Sequence, residues 1–265
     1  MSELPPVPPA QIAGQPYGGP ITAGGPAPEG ITRQHELKFL LNRAQADAIA
    51  QWAGERLTPD PLADGAEAYR VSTLYFDTPA LDVYRRTPGF GGSFRARRYG
   101  DQPEVYLERK RKSNDGVRER RAGITAADLA RLAEGTALAG WAGDWFHQGL
   151  LERGLQHACR LSYQRQAFIG EALGEPFRLT IDRNGRCAAS STLDLEEDLE
   201  GAPLLHERSI LEMRYSLAMP GTFKTLIREF GLAPARVSKY RLAVEACGLA
   251  PMTIQVLEGG VRDAG

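Results

Sequence analysis

Two runs of alternating charge, Arg95-Ala96-Arg97 and Glu108-Arg109-Lys110-Arg111-Lys112, constrain the fold more than any other part of this chain. Residues two apart in a β-strand share a face. Arg95 and Arg97 therefore point one way, as do Glu108, Lys110 and Lys112. The same arithmetic pairs Glu36 with Lys38, Arg118 with Arg120, Arg178 with Asp182, and Glu212 with Arg214. The opposite faces carry Leu37/Phe39/Leu41, Val105/Leu107, Phe177/Leu179/Ile181 and Leu211/Met213/Tyr215. Antiparallel sheets often keep one face polar for water alone. Here Arg and Lys recur at period two over several segments, with Glu at fixed offsets rather than an even mixture of Ser, Thr, Gln and both charges. That repetition favours a face built to hold a polyanion, with or without a divalent metal.

Composition bounds the partners. The chain has 265 residues, 42% of them hydrophobic, and a net charge of −1. Bulk charge therefore gives no attraction to nucleic acid or membrane, and anion binding must come from local clustering. Residues 95–121 hold ten Lys or Arg against five Asp or Glu, which is such a cluster. Cys159, Cys187 and Cys247 are odd in number and far apart, which suits a reducing compartment and gives neither a disulfide framework nor a CxxC metal site. No run of about 18 apolar residues spans a bilayer, and the N-terminus lacks the pattern of a signal peptide. The expected location is cytoplasmic.

Residues 1–30 form a separate zone with eight Pro and six Gly, read as a flexible tail. The folded part is expected over 31–250, with a short C-terminal tail over 251–265. Strands are expected at 33–41, 69–76, 93–99, 104–112, 117–123, 158–169, 176–184 and 206–217. Gly100-Asp101, Asn114-Asp115-Gly116 and Asn184-Gly185 read as turns between them. Helices are expected at 44–57 behind an Asn42 cap, 79–86, 125–133, 141–154, 220–230 and from a Ser238 cap to Ala246. Strands dominate, and no βαβ rhythm or internal repeat emerges.

Most familiar catalytic signatures are missing. There is no GxxxxGK[ST] loop, and Gly89–Gly92 precedes a strand rather than a helix, which removes the dinucleotide reading. His35, His147, His157 and His206 form no HExxH, and no GxSxG elbow occurs. Phosphate binding without a glycine loop leaves Arg and Lys side chains as the means, one a bidentate fork and the other a point charge.

The motifs Arg33-Gln34-His35-Glu36-Leu37-Lys38, Tyr75-Phe76-Asp77-Thr78-Pro79, Phe94-Arg95-Ala96-Arg97-Arg98-Tyr99-Gly100 and Tyr106-Leu107-Glu108-Arg109-Lys110 occur in a recognisable order. Tyr163-Gln164-Arg165-Gln166-Ala167-Phe168, Leu211-Glu212-Met213-Arg214 and Ser238-Lys239-Tyr240 continue it. This series resembles the VTC domain, the family of the vacuolar transporter chaperone polyphosphate polymerase, within the triphosphate tunnel metalloenzyme (CYTH-like) superfamily. The resemblance covers about residues 31–250. It implies an α+β fold: an antiparallel β-barrel tunnel with a basic, polar interior and helices packed on the outside. It also implies dependence on Mn2+ or Mg2+, and a transferase that moves the ATP γ-phosphate onto polyphosphate.

Two departures bear on activity. The superfamily's ExExK signature reads Gln34, Glu36 and Lys38 here, so the first carboxylate is an amide, which tilts away from plain triphosphate hydrolysis. The late LExK motif reads Leu211-Glu212-Met213-Arg214. Carried over position by position, the resemblance implies phosphate contacts by Lys38, Arg95, Arg97, Lys110, Arg118, Arg120, Arg165, Arg178 and Arg214. Lys239 and Glu212 are the expected catalytic residues. Glu212 is the first candidate for a metal ligand, followed by Glu36 and Glu108, whose alternative is an ion pair. The parity of Arg165 sets it with Leu161 and Tyr163, so a bulge is expected there, and Lys112 stands either at the tunnel mouth or in solvent.

Three classes stay open: a phosphotransferase making polyphosphate, a hydrolase of inorganic or nucleoside triphosphate, and a polyphosphate sensor without catalysis. The expected partners are ATP and polyphosphate or triphosphate, not nucleic acid. The chain is expected either to stand alone as a soluble enzyme or to work with a separately encoded membrane partner.

Overall fold

The computed structural model describes residues 30–250 other than 114–115, 137–138 and 196–198. The tails expected before and after the folded part, and the turn at Asn114-Asp115, lie outside the described residues.

The alternation seen in the sequence becomes strands. In chain order these are β1 (Gly30–Leu41), β2 (Thr58–Pro59), β3 (Tyr69–Asp77), β4 (Ser93–Tyr99), β5 (Glu104–Ser113), β6 (Gly116–Thr125), β7 (Gln156–Ala172), β8 (Glu175–Ala189), β9 (Ala202–Pro203) and β10 (Ser209–Tyr215). The helices are α1 (Arg43–Gly54), α2 (Asp82–Arg85), α3 (Asp144–Leu151), α4 (Gly221–Glu229) and α5 (Lys239–Ala246). The strands form one antiparallel sheet in the order β2-β7-β3-β4-β5-β6-β1-β10-β8-β9. A further pairing of β7 with β8 joins the ends of the row of long strands into a ring, so the barrel has no open edge among them.

The outward apolar faces need cover, and the helices supply it. Phe39, Leu41, Leu179, Ile181, Leu211 and Met213 pack under Ile49 and Trp52 of α1 and Phe223 and Leu226 of α4. On the other flank Leu74, Phe94, Ala96, Val105 and Leu107 pack under Phe146 and Leu150 of α3 and Leu129 and Leu132 of a 3-10 turn. α1 starts on a reciprocal cap: Asn42 accepts from the Gln45 amide at 2.8 Å, and Gln45 accepts from the Asn42 amide at 3.1 Å. One end of the interior is apolar, with Val71, Tyr75, Tyr99, Leu161 and Tyr163 packed against Tyr240, Ala243 and Val244 of α5.

The helix expected from Thr125 to Ala133 is of the 3-10 kind, over Ala127–Ala133, and the Thr125 hydroxyl accepts from the Asp128 amide. Two local expectations are corrected. The expected helix over 141–154 is α3, Asp144–Leu151, and is shorter. Asn184-Gly185 is no hairpin. β8 runs through it, and the extra residue is a bulge: Ser162 pairs with Arg186 while Gln164 pairs with Arg183. Asn184 takes a φ of 52°, and a side chain at Gly185 would meet the Leu204 Cβ at 2.9 Å, which explains the dipeptide. The turn before β8 is Leu173-Gly174, both at positive φ, as a two-residue hairpin of the I′ kind requires.

Candidate functional site

Directly opposed residues of an antiparallel ladder share a face, so the register dictates what meets inside the ring. One lateral row reads Tyr75, Arg95, Glu108, Arg121. A second reads Ser93, Lys110, Glu119. Glu36, Arg214 and Arg178 form another, as do Lys38, Glu212 and Thr180. Tyr69, Arg165 and Asp182 complete the ring.

Glu36, Glu108, Glu119 and Glu212 each gather several cations. Glu108, wholly buried, accepts from Arg95 Nε at 2.5 Å and from Arg121, with Arg97 Nη1 at 3.6 Å. Burial alone would push its pKa up, but the guanidiniums, Arg121 foremost, hold it well below the ordinary carboxylate range. Glu119 bridges Arg95 at 3.4 Å and Arg214 at 3.5 Å. Glu36 bonds Lys110 and lies 3.3 Å from Lys38, 3.2 Å from Lys112 and 3.4 Å from Arg214. Glu212 bonds Arg214, with Lys38 at 3.3 Å and Lys239 at 3.9 Å. Burial opposes ionisation of Glu36 and Glu212 as well, and in both the surrounding cations win and lower the pKa. Arg178 bonds Asp60 and the Tyr69 hydroxyl, the latter at 2.6 Å.

The lysines respond in different directions. Burial depresses Lys110 to about 7, with Arg214 and Lys38 adding to the effect against Glu36. Lys38 is also buried, yet Glu212 and Glu36 raise its pKa. Lys239 opens α5 behind Ser238, whose side chain accepts from the Arg241 amide. Its ammonium reaches 2.6 Å from Asp182, and burial brings its pKa down to about 8. A lysine at a helix start is unfavourable to the macrodipole, and two interior carboxylates supply the compensation. Asp182 is in turn pulled down to about 2 by Arg165 and Lys239 against the effect of burial.

α5 is fixed by Asp77. One oxygen of that buried carboxylate accepts from the Thr78 amide at 2.7 Å and the Val83 amide at 2.8 Å. The other accepts from the Tyr84 amide at 2.9 Å and from the Tyr240 hydroxyl. Tyr240 is the neighbour of Lys239, so strand end, α2 and α5 share one anchor.

The structure brings Lys38, Arg95, Arg97, Lys110, Arg165, Arg178, Arg214, Lys239, Glu36, Glu108 and Glu212 into the barrel interior. It does not bring Arg118 or Arg120 there. β5 pairs Ser113 with Gly116, and that register carries the face of Lys110 to Glu119 and the face of Glu108 to Arg121. Arg118 and Arg120 consequently project outward, Arg118 into solvent and Arg120 over the Trp145 ring at 4.3 Å. Sequence reading missed Glu119 and Arg121, and the hairpin register was the signal that could have found them. Arg165 needs no bulge in its own strand. Leu161 and Tyr163 point inward with it, and Arg160 turns out to bond Asp194. Lys112 is at the edge, 63% exposed at its side chain while bonded to Glu36.

Among the described residues no group of three or more His, Cys, Asp or Glu is arranged to hold a metal unaided. Glu36 and Glu212, which share Lys38 and Arg214, offer hard carboxylate oxygens of the kind that Mg2+ or Mn2+ prefers. Such ions commonly take one or two carboxylates and complete their shell with substrate phosphate and water. The donor chemistry therefore fits a metal brought in with a phosphate ligand. Glu108, enclosed by three guanidiniums, behaves as an ion-pair partner.

Among solved structures, a candidate adenylate cyclase from Bacillus halodurans has a TM-score of 0.50 at 13% identity, over 79% of this chain and 95% of that one. A protein from Pyrococcus horikoshii OT3 follows at TM-score 0.47 and 17% identity, over 80% and 98%. A candidate adenylyl cyclase from Hippeastrum, described as having a dominant triphosphatase activity, scores 0.46 at 15% identity, over 82% and 96%. At such identities the likeness concerns the fold. No curated protein sequence matches the chain. The model of the VTC domain matches residues 33–247, nearly the whole described part, and the chain belongs to the VTC domain family.

Proposed function

We propose that this protein is a metal-dependent phosphotransferase acting on triphosphate-containing anions, moving the γ-phosphate of ATP onto inorganic polyphosphate held in the barrel. The observation that carries the reading is the enclosed ring of cations, Lys38, Arg95, Arg97, Lys110, Arg121, Arg165, Arg178, Arg214 and Lys239, set among fewer carboxylates. A linear polyanion must be desolvated and neutralised along its length, and inward cations from every long strand but β3 do both. Because the carboxylates fix them in advance, they need little reorganisation when charge develops on the transferring group.

Membership of the VTC family supports dependence on a divalent metal, with Glu36 and Glu212 as its protein ligands. Such a metal, when bound, neutralises charge on the β- and γ-phosphate oxygens. The chain's own residues do the rest. Lys239, held by Asp182 and by the α5 cap, presents a cation to the phosphoryl group. Arg214 and Lys38, fixed by Glu212, Glu36 and Glu119, orient neighbouring phosphates. The acceptor is a terminal phosphate oxygen, already anionic near neutral pH. Its attack on the γ-phosphorus forms the new P–O bond and releases ADP without a general base. Water, by contrast, must lose a proton, and Gln34, a buried amide on the interior face, cannot take one. That difference favours transfer over hydrolysis.

The test is incubation of the pure protein with ATP and Mn2+ or Mg2+, with polyphosphate resolved on a gel and free phosphate measured in parallel. Metal-dependent polymer with little free phosphate is expected. Stoichiometric phosphate without polymer identifies a hydrolase, and binding without turnover identifies a sensor.

A further inference from the structure

The two arginines that the register turns outward belong to a larger feature. On the outer face of the β5–β6 hairpin Arg109 lies directly across from Arg120, and Arg111 directly across from Arg118. Like charges facing each other across a ladder repel, and here two such pairs are adjacent. The pairs differ in what they touch. Arg109 stacks over Phe94 at 4.9 Å and Arg120 over Trp145 at 4.3 Å, so packing on β4 and α3 accounts for their stems. Arg111 and Arg118 are exposed, and among the described residues no carboxylate pairs with any of the four. Arg153 stands beside them, its guanidinium 5.7 Å from the Phe94 ring and paired with Glu152 at 3.2 Å. Burial foremost, then Arg111 and Arg153, lowers the pKa of Arg109 against an opposing pull from Glu152.

The patch stands on the same hairpin end as the exposed limit of the interior network. Lys112, next to Arg111 on β5, is largely exposed yet bonded to Glu36 of the interior network. Lys110 and Lys112 lie on the inner face of this hairpin end, and Arg111 and Arg118 on its outer face. Successive cross-strand pairs are about 7 Å apart along a strand, so the row can grip an extended chain of phosphates, and each guanidinium offers a fork matched to phosphate oxygens. The face is poorly suited to other polyanions. The Trp145 ring is covered by Arg120 and cannot stack on a base. Neither β5 nor β6 shows an exposed large apolar residue for a bilayer.

We propose that the outer face of the β5–β6 hairpin, centred on Arg111 and Arg118, is a second anion-binding strip that holds the part of a long polyphosphate chain lying outside the tunnel. The identity of the ligand rests on the phosphotransferase reading above, while the strip rests on the pairing and exposure of the arginines.

The test compares the wild type with a double variant, Arg111→Ser with Arg118→Ser, in equilibrium binding of tripolyphosphate and of long-chain polyphosphate across a salt series, without ATP or metal. Tripolyphosphate should bind both proteins within twofold. Long-chain polyphosphate should bind the variant about tenfold more weakly, with the slope of log K against log salt smaller by about 1.4, the scale for two phosphate contacts to a single-stranded polyanion. Arg111→Lys with Arg118→Lys should recover most of the affinity. Unchanged long-chain affinity and salt slope would overturn the proposal, and so would an equal loss of tripolyphosphate, since the residues would then act in the tunnel. Binding of single-stranded nucleic acid or phosphatidylserine vesicles that the variant loses, with long polyphosphate unaffected, would overturn the choice of ligand. A protein that makes no polymer from ATP but shows the expected loss refutes the phosphotransferase and leaves the strip standing.

Discussion

Asp77→Asn should unfold α5 from the barrel far more readily than Tyr240→Phe, although both alter the same hydrogen bond between Asp77 and Tyr240. The carboxylate accepts four donors, two on each oxygen. Asparagine keeps one oxygen for the Thr78 and Val83 amides and turns its NH2 toward the Tyr84 amide and the Tyr240 hydroxyl. The hydroxyl can rotate and accept, but the Tyr84 N–H cannot. One buried N–H left without an acceptor costs about 1–3 kcal/mol, and loss of charge from the remaining bonds adds about 1 kcal/mol. At about 2–4 °C per kcal/mol for a domain of this size, Tm should fall by roughly 5–15 °C. Tyr240→Phe leaves the carboxylate with three amide donors and should cost about 1.5 kcal/mol, roughly 3–6 °C. Calorimetry gives both values, and hydrogen exchange should place the lost protection in α2 and α5. An Asp77→Asn protein melting with the wild type, or Tyr240→Phe as the more damaging change, would refute Asp77 as the anchor.

Glu212→Gln should remove metal-dependent turnover while polyphosphate binding persists, and a metal titration that leaves its activity equal to wild type would exclude it as a ligand. Lys239→Ala should slow ATP consumption per folded molecule by about 10²-fold, the scale for one preorganised charge contact. Because Lys239 is buried against Asp182, the same variant should also lose stability, and wild-type turnover would remove Lys239 from the chemistry. Triphosphate affinity should weaken as pH rises through about 7, where Lys110 loses its proton, and again near 8 for Lys239. Calorimetry in buffers of different ionisation enthalpy should therefore detect proton uptake on binding at pH 8. Stability runs the other way. A lysine lowered from 10.5 to about 7 sheds in the folded state a proton that the unfolded chain keeps, so its contribution rises with pH across that window. A flat affinity profile from pH 6 to 9 would contradict both.

The period-two pattern carried most of the fold because each strand has one face against helices and one against charge, so parity alone separates Leu211 and Met213 from Glu212 and Arg214. It failed on β6, where both parities are charged. Arg118-Glu119-Arg120-Arg121 has no apolar member to mark the outer face, and only the pairing of Ser113 with Gly116 decides. It failed again at Leu161 and Tyr163, because one end of the interior is apolar and closed by α5, an arrangement that no single strand announces. Asn184-Gly185 was misleading for a third reason. The left-handed conformation that suits a hairpin serves a bulge equally well, and sequence does not say whether the chain turns back. The anchoring role of Asp77 was equally hidden, since its donors come from three separate segments.

The pairing of β1 with β10 has a consequence for how this protein comes into being. β1 is flanked by β6 on one side and by β10 on the other, so His35 waits for Tyr215 and cannot complete its ladder until almost the entire folded part has left the ribosome. Contacts of such long sequence separation fold slowly, because loop closure is paid for before the contacts form. Until closure, Lys38 lacks Glu212, and Glu36 lacks Arg214. The growing chain therefore presents an unclosed strand edge together with unpaired charge, and the docking of β10 and then α5 removes both in one late step. Synthesis order and barrel topology together make the nascent form the most vulnerable stage in the life of this molecule.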